Sequence, residues 1–567
     1  MQFKLNKRYS KFILLFFSFL FITCGSLIKT SKYHVTISDG DVISHKGMVA
    51  TAHPLASEVG IDILKQGGNA VDAAVAIALA LSIAEPNASG IGGGGFMVIK
   101  MADQDAPVMI DYREMAPQKA TAEFYYKTKS SFNELTDEGC TSIGVPGLAA
   151  GAELALKHFG SFTLEQALKP AIRLARGGVI VSEKLNGMIT DNYEKISKYP
   201  ATAEIYLHEM LPIEAGQILK NEDLAQTFEK LAANGAEIFY QGEIATAIVD
   251  ELKNQGGIFE LEDMKAYKAK IRNPVMGSYR GYQIITAAPP SGGGTHLIEL
   301  LNIMEGFDLK KLGHNSAEFI HLFTEAMKMI YADKSMNAAD PDFFNVPVDS
   351  LLNKEYARKL RNSINKKKAM FDYAPPNWIN MESSSTSHLS VIDGQGNIVA
   401  LTQSINHWFG CGIVVPGTGI LLNDHIKDFD SRVNIPNSVA PHKRPVSNTA
   451  PSIILKDGKP FLTVGTPGGS RIISAVAQII MNVIDFNMSM DEAIEAPRVH
   501  CLKNILHVEG RIDETVIENL KTMGHNIKVH PDFDNYFGGA QGILIDPNSG
   551  KLIAGADSRR DGVAVGY

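Results

Sequence analysis

The chain has 567 residues, 45% of them hydrophobic and 20% charged, so it can bury a large core and is too apolar for a disordered polymer. Its formal net charge is -8, and no block of Lys or Arg is long enough to track phosphates, which argues against nucleic acid as a partner. Four cysteines without a C-x-x-C pair, and sixteen histidines without an H-E-x-x-H motif, point to no disulfide framework, no catalytic metal and no cofactor.

The chain opens with Lys4, Lys7, Arg8 and Lys11, followed by the apolar run from Phe12 to Ile22. That run is too short to span a bilayer comfortably and has the build of a secretory signal over residues 1–24. It ends at a single cysteine, Cys24, which fits a lipidated anchor on the membrane as well as plain cleavage nearby. Export is expected in either case, to the periplasm or to a membrane surface.

Pro54 to Gln66 predicts a helix stopped by Gly67 and Gly68, and Asn69 caps a second one that runs to Ala84. The second is apolar almost all round and is expected to be buried. Gly90 to Gly95 formally matches G-x-G-x-x-G. A helix precedes it and a strand, Phe96 to Lys100, follows it, the reverse of the dinucleotide-binding order. The glycines are read instead as a backbone that turns tightly or approaches something closely. From about Val145 to Lys368 the pattern is mostly amphipathic helix, and Lys366 to Asn377 reads as an exposed linker.

After Glu382 the period changes. Leu389–Leu401, Ser452–Val464 and Gly542–Ala556 each alternate around a Gly- or Asn-bearing turn, as hairpins do. Helices are expected over Arg471–Phe486, Met490–Ala496 and Asp513–Met523. Stacked hairpins with helices outside predict a layered α/β/β/α domain. Early strands around Phe96 and Val108 would complete the same sandwich, making one domain of the whole.

Hydroxyls crowd the segment Ser383-Ser384-Ser385-Thr386-Ser387 just before the first hairpin. Such clusters commonly mark loops. A hydroxyl beside a strained peptide can also attack the preceding carbonyl, and hydrolysis of the resulting ester cuts the chain. The residue left at the new terminus has a hydroxyl and a free α-amine, whose ordinary pKa near ~8 lets it act as base for its own hydroxyl.

Here the sequence resembles the γ-glutamyltranspeptidases (glutathione hydrolases) of the N-terminal-nucleophile hydrolase superfamily. The resemblance rests on Gly67 to Ala74, Gly92 to Gly95, Asp111-Tyr112-Arg113-Glu114, Thr386-Ser387-His388, Lys443-Arg444-Pro445 and Gly465 to Arg471. It implies a four-layer αββα sandwich formed jointly by a large subunit, residues 25–385, and a small catalytic one, residues 386–567. The cut falls between Ser385 and Thr386. Thr386 becomes the nucleophile, Ser404 bonds its hydroxyl, and Gly468 and Gly469 supply the oxyanion hole. Arg113 and Ser447 receive the substrate α-carboxylate, and Asp428 and Asn406 the α-amine. The implied substrates are glutathione and other γ-glutamyl compounds, with water, amino acids or peptides as acceptors.

Two positions depart from the family pattern: His425 replaces Gln or Glu near the substrate amine, and Asn448 replaces a second serine. The stretch Asp430–His442 is also short where many relatives have a lid, which would admit larger donors or acceptors. A glutaryl-amide acylase or a poly-γ-glutamate depolymerase on the same scaffold is the rival reading within catalysis. A non-catalytic surface lipoprotein is the rival outside it.

Overall fold

The computed structural model describes residues 40–128, 130–371 and 385–567. The signal segment with Cys24, and residues 372–384 of the linker region, lie outside them. Two antiparallel sheets of seven strands dominate. The first runs in the order Val42–Ser44, Leu552–Ala556, Gln541–Ile545, Lys459–Gly465, Ser452–Lys456, Tyr282–Thr286, Val275–Tyr279. The second runs Val563–Gly566, Met48–Thr51, Ser387–Ile392, Ile398–Ser404, Gly94–Lys100, Val108–Asp111, Lys270–Arg272. Each sheet mixes strands from before Ser385 with strands from after Thr386.

Side chains alternate across the second sheet with the period of two that a pleated strand imposes. Val399, Leu401, Met97, Ile99, Leu389 and Val391 pack outward with the helices Pro54–Lys65 and Ala70–Ala84. Ile398, Ala400, Phe96 and Val98 turn inward against Ile454, Leu462, Val464 and Ile543 of the first sheet. The far face of the first sheet is covered by Gly292–Met304 and Arg471–Ile484, with Ala317–Asn337 packed on Gly292–Met304. The result is a four-layer αββα sandwich.

Ala70–Ala84 is buried along its whole length, as its composition predicts. Its first turn is closed by a capping box: Asn69 accepts from the Val71 and Asp72 N–H groups, and Asp72 accepts from Asn69 N at 2.8 Å. The same carboxylate takes the Ser161 and Phe162 N–H groups at 2.9 Å, so a buried charge is held by backbone dipoles. The three predicted hairpins and the helix at Arg471 form where expected. The Val275–Thr286 hairpin differs: it lies inside the stretch read as helical and supplies an edge of the first sheet. A smaller sheet of Val499–Leu502, Ile505–Glu509 and Asn526–His530 likewise lies outside the predicted hairpins.

Candidate active site

Thr386 stands at the entrance to the strand Ser387–Ile392. The pairing register Ser387↔Gln403 runs on one step to set Thr386 opposite Ser404. Both have the inward parity of His388, Thr402 and Ala400. Thr386 Oγ1 contacts the carbonyl oxygen of Ser385 and lies 3.3 Å from Ser404 Oγ. Ser404 Oγ in turn donates to the Ser385 carbonyl at 3.0 Å and accepts from Asn406 N at 2.8 Å. Ser385 donates to Asn406 O through both its N–H, at 3.1 Å, and its hydroxyl, at 2.7 Å. The peptide before Thr386 is thus clamped from both sides, with Ser385 and Thr386 buried.

The run Gly92–Gly95 underlies this clamp. A Cβ on Gly93 would come within 2.2 Å of Ser404 O, and one on Gly95 within 2.3 Å of Thr402 O. The glycines let the neighbouring strand and loop approach at backbone contact, which is the role the sequence suggested for them.

His388, two residues along from Thr386, is not its base. Its ring bonds Thr402 Oγ1 at 2.8 Å and Ser390 Oγ at 3.1 Å, and burial pushes its pKa down to about 3. It also fixes the opposite sheet: a Cβ on Gly465 would lie 2.3 Å from the imidazole, so that strand ends against His388. The turn that follows carries Gly468 at φ 131° and Gly469 at φ 56°. Their carbonyls accept from Arg471 N and Ile472 N at 3.0 and 3.2 Å, turned into the helix that starts there. Neither glycine N–H has a hydrogen bond among the described residues. Two free donors at a helix start form an anion-receptive corner at the same end of the sandwich as Thr386.

Arg113 is buried and fully surrounded. Its Nε donates to Pro445 O at 3.2 Å, one terminal nitrogen to Glu114 at 3.3 Å, and the other to Val446 O at 2.8 Å and to Asp428. These bonds to Pro445 and Val446 hold the segment that continues into Ser447 and Asn448. Ser447 Oγ bonds Thr449 Oγ1 at 3.1 Å. Asn406 reaches the same region by donating from Nδ2 to Asp424 O at 3.1 Å, just before the short helix His425–Asp428. His425 Nδ1 lies 2.8 Å from Glu114 Oε1, so the imidazole at this unusual position faces a buried carboxylate. The Thr386 group and the Arg113 group are therefore joined through Asn406 and Asp424.

A sequence profile described as Gamma-glutamyltranspeptidase matches residues 56–567. The chain belongs to the γ-glutamyltranspeptidase family. It is 40% identical over 545 residues to the glutathione hydrolase proenzyme of Escherichia coli (strain K12), with 93% of each chain covered. It is 39% identical over 527 residues to the Acylase ACY 1 proenzyme of Pseudomonas sp. (strain SE83), covering 92% of this chain and 93% of that one. Among solved structures, the cephalosporin acylase from Bacillus halodurans superposes with a TM-score of 0.86 at 29% identity, over 96% of this chain and 99% of that one.

The backbone of Thr386 is also held by residues that the sequence analysis does not single out. Arg560 donates to Thr386 O at 2.7 Å and lies 3.3 Å from Glu85 Oε1. Glu85 also accepts from the Ser387 hydroxyl. Burial raises the Glu85 pKa to about 7 against the opposing pull of Arg560. The Arg560 stem packs on Gly539, whose N–H donates to Thr466 Oγ1 at 3.1 Å, linking the Thr386 backbone to the Gly468 turn. Cys140, Cys411 and Cys501 are free thiols, half-buried or buried, with no part in the site.

Proposed function

We propose that this chain is a self-processing γ-glutamyltransferase and glutathione hydrolase that works through an acyl-enzyme on Thr386. In maturation, Thr386 Oγ1 attacks the Ser385 carbonyl carbon, with Ser404 bonding the carbonyl oxygen. The C–N bond breaks, the hydroxyl proton passes to the freed nitrogen, and water hydrolyses the ester to leave a Ser385 carboxylate. The new α-amine then accepts the Thr386 hydroxyl proton as that oxygen attacks the γ-carbonyl of a donor. Gly468 and Gly469 bond the oxyanion, the amine portion leaves with the proton, and water or an amine acceptor releases the acyl group.

One observation favours a γ-glutamyl donor over a glutaryl one: the buried ion pair of Arg113 and Asp428. A γ-glutamyl group carries both a carboxylate and an ammonium. It can enter between the two side chains and exchange one neutral pairing for two. A glutaryl group has the carboxylate without the ammonium, so it would take Arg113 and leave Asp428 buried and uncompensated, at a cost of about 3–5 kcal/mol.

Residues 1–24 are read as an export signal, with Cys24 the residue a lipid would take. Among the described residues no helix is long and apolar enough to cross a membrane. Processing before Thr386 would give a large subunit ending at Ser385 and a small one beginning at Thr386. Intact mass of the purified protein, before and after brief incubation with glutathione, tests the reading. Two polypeptides, the smaller gaining a γ-glutamyl increment, are expected. One unbroken and unmodified chain with full activity would overturn it.

A further inference from the structure

Lys334, near the end of the helix Ala317–Asn337, is buried, yet its ammonium makes no hydrogen bond or ion pair among the described residues. Its stem runs over the helix start at Gly292, where Cε would lie 3.3 Å from a Cβ. It lines a cavity with Tyr331, Asp430, Val446, Asn448 and Ser470. Asp428 and Asp430 act on the ammonium at a distance, but neither bonds it, and burial pulls its pKa down to about 8. A desolvated cation without a partner is costly to keep. Two more groups on the same wall are unsatisfied: Asn448 Oδ1 and Ser470 Oγ are buried without a hydrogen-bond partner.

The cavity is next to the site but distinct from the Arg113 grip. Ser470 directly follows Gly468 and Gly469, so the cavity lies next to the glycine turn. Val446 separates it from Arg113, whose guanidinium bonds the Val446 carbonyl from the other side. A cation, a carbonyl acceptor and a hydroxyl match a peptide end, which offers a carboxylate and an N–H.

We propose that Lys334 forms a carboxylate-binding position for the amine portion of the reaction, the peptide that leaves the donor or the one that enters as acceptor. Asn448 Oδ1 receives its N–H, which gives a use to the asparagine that stands where the family pattern has serine. This rests on the γ-glutamyl-transfer reading above. Lys334 is a binding residue here and takes no part in proton transfer.

The test compares mature wild type, Lys334→Met and Lys334→Arg on two donors that share the γ-glutamyl group. Glutathione carries a leaving-group carboxylate, and γ-glutamyl-p-nitroanilide does not. Self-cleavage into two polypeptides reports that each variant folds. Loss of a charge-assisted bond predicts that Lys334→Met raises KM for glutathione about tenfold or more relative to its effect on the anilide, with kcat changed far less. Lys334→Arg should restore most of the difference. An equal effect on both donors, or none on either, would overturn the proposal. A wild type that turned over neither donor would instead sink the underlying γ-glutamyl reading.

Discussion

Ser404 Oγ lies 3.3 Å from Thr386 Oγ1 while donating at 3.0 Å to the Ser385 carbonyl. In the proposed maturation step one hydroxyl would thus touch both reacting groups, and after cleavage it would remain beside Thr386. Removing it in Ser404→Ala should slow self-cleavage and the later acyl transfer by about ten- to a hundredfold each, the worth of a bond to developing charge. Ser404→Thr should keep most of both rates. Cleavage followed on gels after rapid purification measures the first, and burst kinetics the second. Unchanged rates in Ser404→Ala would remove it from the mechanism.

Thr386→Ala should yield a folded, uncut and inactive chain, seen as a single band with wild-type thermal stability. Two bands from this variant would place the cut, and the nucleophile, somewhere else.

The ion pair of Arg113 and Asp428 makes a prediction about donors. Asp428→Asn keeps the shape of the pocket but cannot balance a substrate ammonium. Its preference for γ-glutamyl-p-nitroanilide over glutaryl-p-nitroanilide, as a ratio of kcat/KM, should fall by about tenfold or more relative to wild type. A ratio that did not move would mean that the ammonium is read by other groups.

Glu85 should make folding stability depend on pH. Its pKa is raised from the ordinary 4.5 to about 7 in the folded chain, chiefly by burial. Between those values the folded state holds a proton that the unfolded state has lost, so this contribution is complete below the lower value. It is lost as pH rises through the upper one. Glu85→Gln cannot ionise. In the uncut Thr386→Ala background, urea midpoints at about pH 5 and about pH 8 should show the chain with Glu85 losing more stability than the one with Glu85→Gln across that interval. Parallel losses would show that Glu85 titrates normally.

Much of this architecture can be read from the order of residues. Local pattern is enough for the hairpins after Thr386 and for the buried helix from Ala70, because alternation and capping are short-range signals. The hairpin Val275–Thr286 escapes that reading because its strands are short and surrounded by helical pattern. Its turn depends on Arg280 at φ 52° and Gly281 at φ 84°, and an arginine in that conformation gives little warning. In the site, Thr386, Arg113 and Gly468 stand out because they belong to dense motifs. Glu85, Arg560 and Lys334 do not, since each gains its meaning from partners or cavity walls remote in the chain. Glu114 was visible beside Arg113, yet only the fold shows it facing His425.

The strand Met48–Thr51 has Val563–Gly566 on one side and Ser387–Ile392 on the other. Once the chain is severed before Thr386, a ribbon of one product is therefore laced between two ribbons of the second. If processing falls there as proposed, separating the products would break the main-chain hydrogen bonds of both pairings across the middle of the fold. Maturation at that bond would then run one way: unfolded fragments would have to rethread a lattice first woven from one continuous thread.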